Sequence, residues 1–238
     1  MIELLALPYW QETSIKLGLA LVVIPTTSLI LVYLFLFKMM AFMQSRLGPN
    51  ETGPYGTLQL IAEAIKFLQK EDINPAQADR RVFRLAPVVV LASTFLLYVV
   101  LPAGPDAVVQ NLDTGVFYAM AVSSLSVLGI LMAGWASANK YALLGGLRAA
   151  GQLIAYELPL ILAVMGVVIQ AETMNLQGII EAQATGEIFG IGLIGNPFIL
   201  TQFLAFLIFM IAAQAELTQT PFDMPVAETE LVGGYHIE

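Results

Sequence analysis

The residues best suited to proton chemistry form an acidic segment near the end of the chain. Residues 216–238 contain no Lys or Arg and five carboxylates: Glu216, Asp223, Glu228, Glu230 and Glu238. Pro221, Pro225 and a glycine pair prevent one regular helix, and the segment is too apolar for a disordered, solvated tail. We predict that it packs into a cavity or beneath a partner, where crowded carboxylates cannot all ionise and can pass protons. An acidic docking surface for a basic neighbour is an equally good interpretation.

Another carboxylate, Glu157, lies within an apolar run, nine residues beyond Arg148. At roughly 1.5 Å per residue this is about 13 Å along a helix, well inside a bilayer. A charged carboxylate at that depth is costly, so Glu157 is expected to be buried in protein, protonated or hydrated. A proton-relay role is the favoured interpretation, and a carboxylic acid hydrogen-bonded between helices is the alternative.

The elements that must position these acids are membrane helices. Hydrophobic residues make up 58% of the 238 residues and charged residues 12%, and the mean hydropathy is +0.79. Apolar runs long enough to cross a hydrocarbon core of about 30 Å cover residues 17–37, 85–105, 115–137, 147–170 and 197–215. They lack the alternation of barrel strands. We predict an all-α, polytopic membrane protein, residues 1–238 forming a single membrane domain with five transmembrane helices in a bundle.

The basic residues predict the orientation of this bundle. Seven of the ten Lys and Arg lie between the first two apolar runs, Lys140 lies between the third and fourth, and Arg148 lies at the start of the fourth. The positive-inside rule places these loops in the cytoplasm or its equivalent, with the N-terminus outside and the acidic segment inside. The connections on the opposite face carry acids and no bases: Asp106, Asp113, Glu172, Glu181 and Glu187.

The first basic loop, residues 46–84, contains a second candidate site. Two Gly-Pro pairs turn the chain sharply after Arg46. Apolar residues then recur at helical spacing from Leu58 to Leu68, which predicts an amphipathic helix of about 15 residues, too short to span a membrane. This helix is either a surface anchor or, with Arg46 and Glu63 brought together by the turn, the polar entrance for a partly apolar ligand.

Redox chemistry is not expected from the side chains of this chain. It has no Cys and one His, His236, whereas iron-sulfur clusters need several thiolates and a b-type haem pair needs several histidines. No P-loop, GxSxG or HExxH motif occurs in the sequence. In any electron transfer, another subunit would therefore carry the electrons.

Three stretches closely resemble the signature regions of one family. They read RLGPNETGPYGTLQLIAEAIKFLQKED from Arg46, MAGWASANKYALLGGLRAAGQLIAYELP from Met132, and PFDMPVAETELVGGY from Pro221. Their order and spacing are similar to those of subunit 1 of respiratory complex I, the proton-translocating NADH:quinone oxidoreductase. That subunit has eight transmembrane helices, joins the membrane arm to the peripheral arm, and forms much of the chamber in which ubiquinone, plastoquinone or menaquinone is reduced.

The resemblance implies roles for particular residues. The quinone entrance, chamber or path would involve Arg46, Ala62, Glu63 and Phe222. An acidic funnel leading from the quinone site toward the proton channels would contain Glu157, Glu216, Asp223, Glu228 and Glu230. No catalytic residue and no metal ligand is implied in this chain.

The resemblance also implies a setting. Quinone would be a substrate, no cofactor would be held covalently, and iron-sulfur clusters would lie only in partner subunits. The partners would be small and antiporter-like membrane subunits, peripheral iron-sulfur and quinone-site subunits, the lipid bilayer and quinone, with no nucleic acid. The location would be an energy-transducing membrane: the cytoplasmic membrane of a bacterium or archaeon, or an organellar equivalent.

Several positions depart from the usual pattern of that family. Leu36 and Phe37 replace an acid and a base, Gln219 replaces an Arg, and Val226 replaces an acid, whereas Glu63 keeps the charge of the usual Asp. These losses favour, as an alternative, the membrane subunit of an energy-converting hydrogenase or of a ferredoxin- or reduced-deazaflavin-driven relative.

A stand-alone ion or solute transporter is a more distant alternative, because the sequence shows neither an internal repeat nor paired broken helices. The family continues through about three further spans. We therefore expect an incomplete chain, a fragmentary gene product or a split subunit.

Overall fold

The structure, a computed structural model, describes residues 8–71, 73–104, 108–186 and 195–237. This described part consists of helices and turns and contains no β-strand. The chain divides into two compact units, Glu3–Ile73 and Asn74–Glu238 with Met1–Ile2. Three of the acids named above, Asp106, Glu187 and Glu238, lie outside the described residues.

A long apolar helix forms most of the first unit. α1 (Tyr9–Val32) continues directly into a π-helical segment (Tyr33–Met39) and the short α2 (Met40–Met43). Together they give a candidate membrane span, Trp10–Met43, of 34 residues. The helix thus extends beyond the predicted apolar run at both ends.

Side chains of the π-helical segment fix the start of the basic loop. Lys38 Nζ donates to Pro49 O and to Asn50 Oδ1, each at 2.7 Å. Tyr33 Oη donates to Tyr55 O at 2.6 Å. Single π-helical turns within α-helices are frequent at functional sites. Here Tyr33 and Lys38 of the π-helical segment hold the turn that carries the Gly-Pro pairs.

The predicted amphipathic helix is present in this loop. A 3-10 turn (Pro54–Gly56) leads into α3 (Gln59–Gln69), which has 11 residues. Its apolar residues Ile61, Ile65 and Leu68 are exposed within the chain. The helix ends at Gln69 and is therefore shorter than the sequence pattern predicts.

Three helices form the centre of the second unit: α4 (Arg80–Leu97), α5 (Gly115–Ala136) and α6 (Lys140–Ala171). α4 packs on α5, and α5 packs on α6. Asp79 caps α4 by accepting from the backbone N–H groups of Arg81 and Val82. Asn139 caps α6 in the same way through Tyr141 N–H. The second cap begins α6 eight residues before Arg148.

Glycines bring α5 close to both neighbours. A Cβ atom at Gly129 would lie 2.5 Å from Val90 Cγ2 in α4. A Cβ atom at Gly134 would lie 3.1 Å from the Cα atom of Gly146 in α6. Such small residues let the backbones of membrane helices touch, which strengthens packing where the hydrophobic effect between helices is absent.

The second unit continues with α7 (Leu176–Thr185), α8 (Phe198–Thr201) and α9 (Phe203–Glu216). A buried apolar cluster joins α5 to α8 through Val116, Val168, Ile179 and Phe198. α8 and α9 are separated at Gln202, whose Nε2 donates to Gly166 O of α6 at 2.8 Å. A short α10 (Glu228–Leu231) and a 3-10 turn (Gly234–His236) follow.

Among the described helices, three are long and apolar enough to cross a membrane: Trp10–Met43, Gly115–Ala136 and Lys140–Ala171. α4 has 18 residues and starts with two arginines, and α9 has 14 residues. These shorter helices occupy the second and fifth predicted runs. The prediction of an all-α, polytopic membrane protein is confirmed, whereas the count of five spans and the orientation stay predictions.

Candidate functional site

One face of α6 carries the acidic segment. Gly145, Arg148, Gln152 and Tyr156 are separated by three or four residues and therefore share a face of the helix. Each of them approaches a residue between positions 215 and 235. The acidic segment is thus folded along about three turns of α6.

The amide of Gln152 makes the central contact. This residue is 6% exposed, and its Nε2 donates to Ala215 O at 2.9 Å and to Phe222 O at 2.8 Å. Ala215 precedes Glu216 at the end of α9, and Phe222 follows the first proline of the acidic segment. One side chain therefore links α6, the end of α9 and the acidic segment.

The ring of Phe222 packs against α6 beside this amide. Its centroid lies 5.1 Å from that of Tyr156, with an interplanar angle of 65°, the edge-to-face arrangement that aromatic pairs prefer. Phe222 is half-buried. Because Tyr156 directly precedes Glu157, the predicted quinone-path residue lies next to the helical turn that bears the intramembrane acid.

The far end of the acidic segment is held by close backbone packing and an ion pair. A Cβ atom at Gly145 would lie 2.5 Å from Gly234 Cα and 2.7 Å from Tyr235 N. Arg148 Nη1 lies 2.6 Å from Glu230 Oε2. Burial raises the pKa of the Tyr235 phenol, and a side-chain hydrogen bond with Thr218 opposes this shift. Both ends of the segment are therefore anchored in the second unit.

The negative charge of one predicted carboxylate, Glu157, acts on another, Glu216, and these two residues are called the carboxylate pair below. Glu157 of α6 lies close enough to Glu216, the last residue of α9, for their negative charges to repel one another. Both are half-buried, and Glu216 Oε2 is buried without a hydrogen-bond partner in the described part of the chain. Burial raises the pKa of the Glu216 carboxyl, and the nearby charge of Glu157 adds to this shift.

Glu157 also faces an apolar cavity of about 220 Å³. The cavity lies between α5 and α6, and the methionines Met120, Met165 and Met174 contribute to its wall. Glu157 is the one ionisable group among the described residues that line it. Glu157 is therefore accessible from the apolar surface between two candidate membrane spans.

The other acids of the segment do not join this pair. Asp223, Glu228 and Glu230 are exposed in the described chain, and Glu230 pairs with Arg148. In the chain by itself they are exposed, and their packing into a cavity or beneath a partner stays a prediction. The physical reason is local: the backbone turns at the prolines, and Glu228 and Glu230 occupy the first turn of α10, where acids are favoured by the helix dipole and remain hydrated.

Arg46 and Glu63, the two charged residues predicted for the entrance in the basic loop, have different hydrogen-bond partners. Arg46 is exposed and its Nε donates to Gln44 Oε1 at 2.8 Å. Glu63 is half-buried and accepts from Gln59 at 3.0 Å, while Ala62 is exposed. The described first unit contains no ion pair between Arg46 and Glu63. The polar entrance built from these two residues stays a prediction.

Sequence reasoning missed three residues that organise these sites: Lys38, Gln152 and Tyr156. Each is a polar group within a long apolar helix. In a helix that crosses a membrane, a Lys or Gln side chain requires a partner because an unpaired polar group is costly in lipid. A polar side chain in an apolar run therefore indicates that a hydrogen-bond partner exists. The sequence does not identify the partner, because it lies far away along the chain.

Long apolar helices packed through glycines define a polytopic α-helical membrane protein, and one of its candidate spans carries Glu157. The sequence model of the family described as NADH dehydrogenase matches residues 15–238. The chain belongs to this family.

Relatives in three bacteria are named as a subunit of NADH-quinone oxidoreductase, the one designated H. The chain is 47% identical to the Brevibacillus brevis protein over 201 residues, which are 84% of the chain and 57% of that relative. It is 44% and 43% identical to the proteins of Geobacillus kaustophilus and Geobacillus thermodenitrificans over 97% of the chain. These alignments cover 67% and 68% of the two relatives. The chain thus spans between about half and two thirds of the length of these relatives.

Proposed function

We propose that this chain is a membrane subunit of a complex I-like NADH:quinone oxidoreductase, in which it forms part of the quinone chamber and links quinone reduction to proton translocation. The family membership and the names of the relatives support an oxidoreductase complex with quinone as substrate. The observation that carries the coupling role is geometric: Phe222 packs on Tyr156, the neighbour of Glu157, and shares the Gln152 amide with Ala215, the neighbour of Glu216.

The proposed assembly supplies the redox chemistry. Electrons come from iron-sulfur clusters in peripheral partner subunits, and small and antiporter-like membrane subunits receive the effect of quinone reduction. This chain contributes Arg46, Ala62, Glu63 and Phe222 to the quinone entrance, chamber or path. It is integral to the energy-transducing membrane that holds the complex.

The proposed coupling follows from electrostatics. A reduced quinone headgroup takes up protons or develops negative charge, which changes the free energy of ionising nearby carboxylates. Glu216 directly follows Ala215, whose carbonyl shares the Gln152 amide with the carbonyl of Phe222. The negative charge of Glu157 opposes ionisation of Glu216, so a change in the charge near this site changes the free energy of ionising Glu216. Asp223, Glu228 and Glu230 extend the acidic path, with partner subunits covering them in the assembly.

Neutralising the carboxylate pair tests this proposal. Glu216→Gln and Glu157→Gln, each in the assembled complex in membrane vesicles, should lower quinone-linked proton pumping by at least about tenfold, because a positioned proton acceptor contributes this much or more. Glu228→Gln should also lower pumping. The matched control is Glu181→Gln, an exposed acid on α7, which should pump normally.

The double variant with both Gln substitutions should retain as much proton pumping as the more severe single variant, because the two acids act as one unit. Pumping is measured as acidification per NADH oxidised, with subunit content checked on native gels. Normal pumping in fully assembled Glu157→Gln and Glu216→Gln variants would remove the pair from the mechanism.

A membrane subunit of an energy-converting hydrogenase or ferredoxin-driven relative is the second candidate. Leu36, Phe37 and Gln219 favour it, since they lack charges that the family commonly carries there. The purified complex should reduce a quinone with NADH if the first proposal holds. Hydrogen evolution from reduced ferredoxin, with no quinone reduction, would establish the second.

A further inference from the structure

We propose that Gln152 is a positioning residue. Its two hydrogen bonds, to Ala215 O and Phe222 O, fix the backbone at Phe222 relative to Glu157 and Glu216. Its effect on the structure of the acidic segment is independent of the proposed function, whereas its effect on proton pumping rests on that function.

The amide of Gln152 closes a short loop of the chain. Its two acceptors, Ala215 O and Phe222 O, flank residues 216–221, the first part of the acidic segment and the connection from the end of α9 to Phe222. Both bonds come from the same nitrogen atom, so the two ends of this connection are held at a fixed separation. Phe222 N–H in turn donates to Gln219 O at 2.7 Å within the connection. Glu216, at one end, is therefore fixed relative to Phe222, at the other.

The position of Gln152 on α6 relates this loop to Glu157. Gln152 and Tyr156 are four residues apart on one helical face, so the amide bond to Phe222 O and the ring contact of Tyr156 act on the same residue. Glu157 is the next residue of the helix. Loss of the amide donors would leave Phe222 to depend on the ring contact with α6, and would free the end of α9 that bears Glu216.

A buried amide can also have a purely structural role, which is to donate hydrogen bonds to buried backbone carbonyls. Unpaired carbonyls within a membrane protein are costly. The two roles differ in their consequences. A merely structural amide would affect assembly and leave the properties of an assembled complex unchanged. If the amide positions Phe222, its loss should increase hydrogen exchange in the acidic segment and not elsewhere. Proton pumping should then fall further as fewer of the two hydrogen bonds remain.

Hydrogen exchange on the purified complex tests the structural part. In Gln152→Met, whose side chain has similar length and no donor, peptides covering residues 216–226 should exchange about ten times faster. Peptides covering residues 230–237 should keep their protection, since Arg148 and Gly145 hold that end. Gln170→Met is the matched control, because Gln170 also lies on α6 but bonds Thr201. Equal exchange in Gln152→Met and Gln170→Met would overturn the proposal.

A second variant gives a readout that a structural role would not produce. The carboxylic acid of Gln152→Glu donates one hydrogen bond when protonated and none when ionised. Its pumping relative to the parent complex should therefore fall several-fold as the assay pH is raised, whereas the deficit of Gln152→Met should be independent of pH. A pH-independent deficit in both variants would overturn the positioning role.

The outcomes separate this inference from the proposed function. If the exchange results are as expected and pumping is normal in every variant, positioning stands as a structural fact and its coupling consequence is rejected. If Glu157→Gln and Glu216→Gln abolish pumping while Gln152→Glu behaves as the parent at each pH, the proposed function stands and the inference fails. If Gln152→Met does not assemble, Gln152→Glu compared at low and high pH still decides between these results.

Discussion

Individual backbone contacts hold the acidic segment more firmly than its charges do. The Arg148–Glu230 pair has side chains that are 32% and 61% exposed, and such pairs contribute about 0–1 kcal/mol. Gly145, in contrast, permits direct contact of α6 with Gly234 and Tyr235. The absence of a side chain at one position therefore matters more than the nearby ion pair.

Two glycine substitutions on α6 test this contrast. Gly145→Ala should displace residues 231–237 and destabilise the chain by about 1–3 kcal/mol, because the added Cβ overlaps backbone atoms. Gly151→Ala is the matched control, since nothing lies within 4 Å of its Cβ position. The control should be neutral or stabilising by up to about 1 kcal/mol, the difference in helix propensity. Thermal inactivation of the complex and exchange of residues 231–237 measure both effects, and equal behaviour of the two variants would contradict this account.

At the scale of elements, the π-helical segment of the first unit connects an apolar helix to the basic loop. Lys38 is the basic residue of this segment. The structure gives this side chain a local role, because its ammonium group donates to Pro49 O and Asn50 Oδ1. The lysine therefore organises the turn before α3.

Removing this ammonium group should loosen the turn. In Lys38→Met, peptides covering residues 47–56 should exchange at least about ten times faster, because hydrogen bonds from a charged donor contribute about 1.5–3 kcal/mol each. Lys70→Met, at the exposed end of α3, should leave the same peptides unchanged. Unaltered exchange in Lys38→Met would show that the Gly-Pro turns hold their shape without it.

At the scale of the whole molecule, hydropathy predicts the helices because lipid requires that every spanning segment satisfies its own backbone. It predicts their ends less well. Lys140 to Leu147 mixes polar and small residues, so the apolar run begins late, whereas the Asn139 cap starts α6 at Lys140. The break at Gln202 is likewise absent from the hydropathy pattern, because it depends on a hydrogen bond to Gly166 in another helix.

The site was predictable in its residue types and not in its contacts. Glu157 and Glu216 were singled out as acids close to or within apolar runs, since charge is costly there. Their pairing requires the packing of α6 against α9, which no local pattern contains. The same is true of Gln152 and Phe222, whose bond joins residues 70 positions apart. The resemblance named Phe222, but the amide that fixes it became visible only in the folded chain.

The contact of α5 and α6 at Gly134 and Gly146 has a mechanical consequence. Because no side chain separates the two backbones there, neither helix can adjust its packing at this point by exchanging side-chain rotamers. Glu157 lies 11 residues beyond Gly146 on α6, about 16 Å along the axis. If α6 tilted by a few degrees about its contact with Gly134, Glu157 would therefore move sideways by about 1 Å. A displacement of this size makes or breaks a hydrogen bond.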